Sequence, residues 1–181
     1  MTISAFRGTE LLASGPPEEV AIAIRRARDA DPSAVILAFD DATGHAVDFD
    51  LSGDDADIVA RHRPAPAATR PAGRPRLGVV AREVTLLPRH WEWLGRHPGG
   101  ASAMLRRLVE AAMAGDDGAA GRRAAADRFL MAVLGDAPGY EEAARALYAG
   151  DMERFSALSA AWPPDLARHA HRLATGTAGT D

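Results

Sequence analysis

Residues 81–114 read AREVTLLPRHWEWLGRHPGGASAMLRRLVEAAMA, and the reading of this stretch decides the fold. The run before Pro88 predicts one short strand. Pro88 suits the first turn of a helix, where a missing N–H costs nothing. Gly95 weakens that helix and Pro98-Gly99-Gly100 ends it. Ser102 can cap a second helix, along which Leu105, Leu108, Val109, Ala112 and Met113 form an apolar stripe. A single strand leaves N–H and C=O groups unpaired along both edges, which is costly unless another strand lies beside it. The partner is either elsewhere in the chain or the same strand of a second copy.

Upstream, residues 61–78 (RHRPAPAATRPAGRPRLG) alternate proline and arginine with almost nothing large and apolar. Such a composition predicts an extended linker. Within it AGRPR resembles the centre of an AT-hook, with Ala72 where that motif carries arginine, and a plain linker is the simpler reading. Residues 1–60 predict a small ββαββ domain. ISAFRGTELLAS reads as a hairpin turning near Arg7-Gly8, and PPEEVAIAIRRARDAD as a helix with proline and acids at its start and arginines towards its end. AVILAFD and HAVDFDL then read as strands either side of the turn signal DATG, with Asp41 and Thr43 capping the turn.

Downstream, GDDGAAG at 115–121 reads as a second linker. Residues 122–175 predict four short helices, with Asp151 as an N-cap and Pro163-Pro164 opening the last. Phe129, Val133, Leu147, Phe155, Leu158, Trp162, Leu166 and Leu173 are their expected common core. The fold class is therefore α+β: a small N-terminal ββαββ domain, a central strand–helix–helix unit and a C-terminal bundle of short helices.

The 181 residues carry a formal charge of −4, which hides an uneven distribution. Residues 1–60 are strongly acidic, residues 61–107 hold ten arginines against Glu83 and Glu92, and residues 108–181 are again acidic. A basic centre between acidic flanks points to an anionic partner for the centre alone; the competing reading is that the arginines pair with the chain's own acids. There is no cysteine, so disulfides, thiolate metal sites and cysteine nucleophiles are excluded. No apolar run approaches the ~20 residues that span a bilayer, and MTISAFRGTE lacks a signal peptide's segments. A cytoplasmic location is expected, with no membrane partner.

Acids cluster at Asp40, Asp41, Asp48, Asp50, Asp54, Asp55 and Asp57, yet their spacing matches no calcium loop. His169 and His171 fall on different faces of a helix and cannot share an ion. No nucleophile elbow, zinc-protease helix, phosphate loop or dinucleotide fingerprint is present. The expectation is no metal, no cofactor, no catalytic residue and a protein that is not an enzyme.

The pattern of residues 81–114 resembles a ribbon–helix–helix DNA-binding domain. That resemblance implies an obligate homodimer: the strand pairs with its twin, the two-stranded ribbon enters the major groove of duplex DNA, and the helices form the dimer core. It implies Leu87, Trp91, Leu94, Leu105, Leu108 and Val109 as core. If Leu87 points inward, Arg82, Val84 and Leu86 face the groove; the opposite choice gives Glu83, Thr85 and Leu87. Phosphate contacts are expected from Arg74, Arg76, Arg82, Arg89, Arg106 and Arg107, with Arg96 adding charge. Gly100, Ala101 and Ser102 at the second helix N-terminus would offer free N–H groups. The flanking domains would bind a protein or small-molecule signal. A protein that uses the strand–helix–helix only to dimerise is the alternative. Over nearly its full length the chain also resembles an uncharacterised bacterial family, domain of unknown function 2239, through GRPRLGVVAREVTLLPRHWEWL, PGGASAMLRRLV and YEEAARALYAGDMERFSAL. That resemblance supplies no activity.

Overall fold

The computed structural model describes residues 1–64 and 82–176. The chain divides into two compact units, one from residues 1–65 and 118–181, the other from residues 66–117. The first is mixed α+β. Strand β1 (Ile3–Arg7) lies centrally in a three-stranded antiparallel sheet, between β2 (Glu10–Gly15) and β3 (Ile36–Asp40). β1 and β2 form the expected hairpin, with a register shift between Ala5 and Phe6.

Helix α1 (Pro17–Ala30) opens on proline and two acids, which suit the positive end of its dipole. Its Val20 and Ile24 pack with Ile3, Ala5, Ile36 and Ala38 on one sheet face. The other face carries Phe6 and Phe39, and these belong to the core of the C-terminal helices. Those are α5 (Ala119–Leu134), α6 (Tyr140–Ala149), α7 (Met152–Ser159) and α8 (Pro164–Thr175). The Phe6, Phe39 and Phe129 rings meet at centroid distances of 5.0–6.4 Å. The first sixty residues and the last helices, read from sequence as separate domains, thus share one core. Covering the sheet on both faces buries Ile3, Ser4, Ala5 and Phe6 alike. One helix alone would leave half of that surface wet.

The expected core of the four helices is present: Phe129, Leu147, Phe155, Trp162, Leu166 and Leu173 are buried, and Val133 and Leu158 pack against them. Asp151 caps α7, accepting from the Arg154 N–H at 3.0 Å.

Two expectations for residues 40–62 fail. HAVDFDL is not a strand; it makes one isolated bridge, Phe39 with Ala46, before the chain leaves the sheet. Instead Asp54 and Asp57 form a reciprocal capping box that starts α2 (Asp55–His62). Asp40, not Asp41, organises the preceding turn, its carboxylate accepting from the Ala42 N–H and the Thr43 hydroxyl. Asp41 follows the parity of Phe39 and turns towards α8.

The central unit contains α3 (Pro88–Gly95) and α4 (Gly100–Gly115). Residues 82–87 form no strand. Leu87 is extended, at φ −66° and ψ 150°, but extended backbone becomes a strand only beside another edge. The interval between α4 and α5 shrinks to residues 116–118, because both helices run further than their glycines suggested.

Candidate nucleic-acid interface

Pro88 fixes the first turn of α3, and the helix stops at Gly95 as its sequence demands. The α3–α4 corner depends on Gly99, whose φ of +91° an L side chain rarely adopts. Gly99 itself occupies the N-cap of α4, and no side chain caps that helix. Ser102 lies inside the first turn and is exposed. The Gly100 N–H donates to the His97 carbonyl at 3.0 Å, so it is not free for a phosphate. The expected cap and one expected anion donor are therefore both displaced by the corner's own geometry.

Of the implied dimer core, only Leu94 is buried within the chain, at 3% exposure. Leu87, Trp91, Leu108 and Val109 are 42–55% exposed, as are the neighbouring Val84 and Trp93. Leu86 and Leu105 are intermediate, and Met113 at the far end of α4 is 70% exposed. Trp93 stacks edge-on against His97, with ring centroids 4.4 Å apart. A sixteen-residue helix without one buried residue has no core of its own. This unit presents its apolar stripe outward.

Arg82, Arg89, Arg96, Arg106 and Arg107 are all exposed. Among the described residues none of the five is ion-paired with a carboxylate of its own unit. Arg107 folds back to donate to the Pro98 carbonyl at 3.1 Å, and Arg89 reaches His90 at 3.5 Å. Several arginines of the first unit are ion-paired: Arg25 meets Asp55 at 2.7 Å, Arg145 meets Glu142 at 3.1 Å and Arg172 meets Asp41 at 3.1 Å. Two arginines counted in the basic centre, Arg61 and Arg63, belong to the end of α2 and pair with Asp50 and Glu18. Arg74 and Arg76 lie outside the described residues.

No group of three or more His, Asp or Glu among the described residues could hold a metal ion, and no helix there is long and apolar enough to cross a membrane. Sequence reasoning missed a polar cluster in which the buried Ser4 and His169 meet the partly buried Asp41 and Arg172. Its signal was parity: Ser4 and Phe6, like Phe39 and Asp41, alternate onto one sheet face, and His169 and Arg172 share a helix face with Leu166 and Leu173.

The chain belongs to the family described as uncharacterised protein conserved in bacteria, DUF2239, whose profile matches residues 2–174. No curated protein and no solved structure matches it.

Proposed function

We propose that this family member is a homodimeric, duplex-DNA-binding protein that works through its central unit as a ribbon–helix–helix module. Residues 82–87 of two copies would form the ribbon and α3 and α4 the dimer core. The carrying observation is the coincidence, among the described residues of one short unit, of an outward apolar stripe and five exposed arginines without an ion pair inside that unit. Trp91, Leu108 and Val109 are exposed apolar side chains that a second copy would cover, and a two-helix piece this small cannot be stable alone. Arg82, Arg89, Arg106 and Arg107, with Arg74 and Arg76, supply the charge that phosphates attract. Base readout through Val84 and Leu86 would be confined to apolar contact with thymine methyls, so sequence preference should be modest. The role suits a regulator whose first unit receives a signal.

Fluorescence anisotropy on a labelled duplex at low salt tests this. Binding should weaken with salt, and Arg106→Ala or Arg89→Ala should lower the slope of log K against log salt by about 0.9 for each phosphate no longer neutralised. No anisotropy change at tens of micromolar protein, roughly the range of non-specific affinity, would remove DNA from the account. A second reading has its own support: within residues 82–117 the five arginines are matched by Glu83, Glu92, Glu110, Asp116 and Asp117. On that reading the unit dimerises without DNA, as an adaptor, and dimerisation would survive the failed titration.

A further inference from the structure

In the first unit, the imidazole of His169 is 4% exposed and packed edge-on by Phe6 at 5.1 Å and Phe129 at 4.5 Å. Arg172 Nη2 donates to His169 Nδ1 at 2.8 Å. A guanidinium only donates, so Nδ1 is the acceptor and the proton of the neutral ring sits on Nε2. The same Nη2 reaches Ser4 Oγ at 2.9 Å and Asp41 Oδ2 at 3.1 Å. Ser4 Oγ in turn lies 3.0 Å from Ser14 Oγ and 3.2 Å from Asp41 Oδ2. Two buried atoms in this cluster lack a hydrogen-bond partner, His169 Nε2 and Asp41 Oδ1. They face one another at 3.7 Å, just beyond hydrogen-bond range.

Ser4, Ser14 and Asp41 come from the chain before the central unit, and His169 and Arg172 from the chain after it. We infer that Asp41, His169 and Arg172 form a proton-controlled clasp between these two segments, closed while His169 is neutral and opened when it takes up a proton. A second proton could enter only at Nδ1, where it would confront the Arg172 guanidinium. Arg172 must then leave, and with it go the bonds to Ser4 and Asp41. Among the described residues the one opposite charge close to the ring is Asp41, beside Asp40 at the end of β3, whose Oδ1 lies 3.7 Å from His169 Nε2. Its other oxygen is already held by Arg172 and Ser4, and burial disfavours its charged form. Otherwise His169 meets Phe129 from α5, Phe6 from β1 and Arg172 on its own helix.

Burial, helped by Arg172, pushes His169 down to about 3. Its contribution to stability is therefore complete above the unfolded value of about 6.5 and lost as pH falls below it. Burial lowers His171 as well, with the same sign. Burial raises Asp41, against the pull of Ser4 and Arg172; that contribution is present below the ordinary carboxylate range and lost as pH rises through the folded value. The depressed histidines make the chain less stable as pH falls below about 6.5, and Asp41 acts in the opposite sense.

Urea unfolding of the whole chain at pH 5–7.5 tests the clasp, with the unmodified chain as the reference and His171→Gln reporting the slope that a depressed histidine outside the clasp contributes. Each depressed histidine raises the unfolding constant by up to about tenfold per pH unit below 6. In His169→Gln one proton's worth of that slope should vanish; an unchanged slope would overturn the inference. Should His169→Gln not fold, NMR of the unmodified chain decides, because the His169 ring should not titrate between pH 5 and 8. Titration near 6.5 would overturn it. Hydrogen exchange at pH 5 should rise together in residues 3–7 and 166–173 relative to α6, and a rise in neither segment would contradict a clasp.

Discussion

Gly44 is held twice over. Its φ is +70°, and a Cβ there would land on the Ala125 carbonyl of α5. Arg128 donates to the Thr43 carbonyl beside it, fastening the turn to that helix. Gly139 has a similar φ of +81° but nothing within 4 Å of a built Cβ. Gly44→Ala should therefore cost clearly more stability than Gly139→Ala, on the order of 3 against 1 kcal/mol in urea denaturation. Equal losses would show that the turn can move off α5. The glycine in DATG marked a turn in the sequence, but not which helix would press on it. Choosing between Asp40 and Asp41 as the turn's organiser was equally beyond local rules, since both flank the same residues. Strand parity distinguishes them once Phe39 is known to be buried.

At the scale of elements, caps and breakers were the most legible features. Pro17, Pro88, Asp151 and Pro164 begin helices where local chemistry requires. One corner occurs twice: LGRHPG at 94–99 and LGDAPG at 134–139 each close one helix and open the next through a left-handed glycine. The two copies differ in what they bury. Around the second, Phe129, Leu130, Ala143 and Leu147 are buried; around the first only Leu94 is. Helix α2 was hidden because DADIVARH is short and carries one buried residue, Ile58, while HAVDFDL alternates like a strand without an edge to join. On the proposed dimer, Trp91→Ala should weaken association by about 2 kcal/mol or more, as truncating an interface aromatic typically does. Sedimentation across a dilution series reads this, and the melting of the first unit should not move. An unchanged dissociation constant would place Trp91 outside any interface.

For the whole molecule, the discontinuous first unit was the least legible property. Its clue is ISAF at 3–6, four residues buried without alternation, which is how a strand covered on both faces reads. A lone ββα piece could not supply the second cover, which comes from the helices beyond residue 118. Charge was legible in total but not in allocation, because Arg61 and Arg63 belong to α2 and to its acids. What remains among the described residues of the central unit is an apolar stripe and five arginines without an ion pair inside that unit. The measurement that tests this most directly is light scattering of the purified chain, alone and with a duplex of about two helical turns. The account predicts twice the 19.1 kDa chain mass alone, rising by one duplex per dimer at low salt and falling back as salt is added. A species of 19.1 kDa at micromolar concentration, unchanged by DNA, would contradict it.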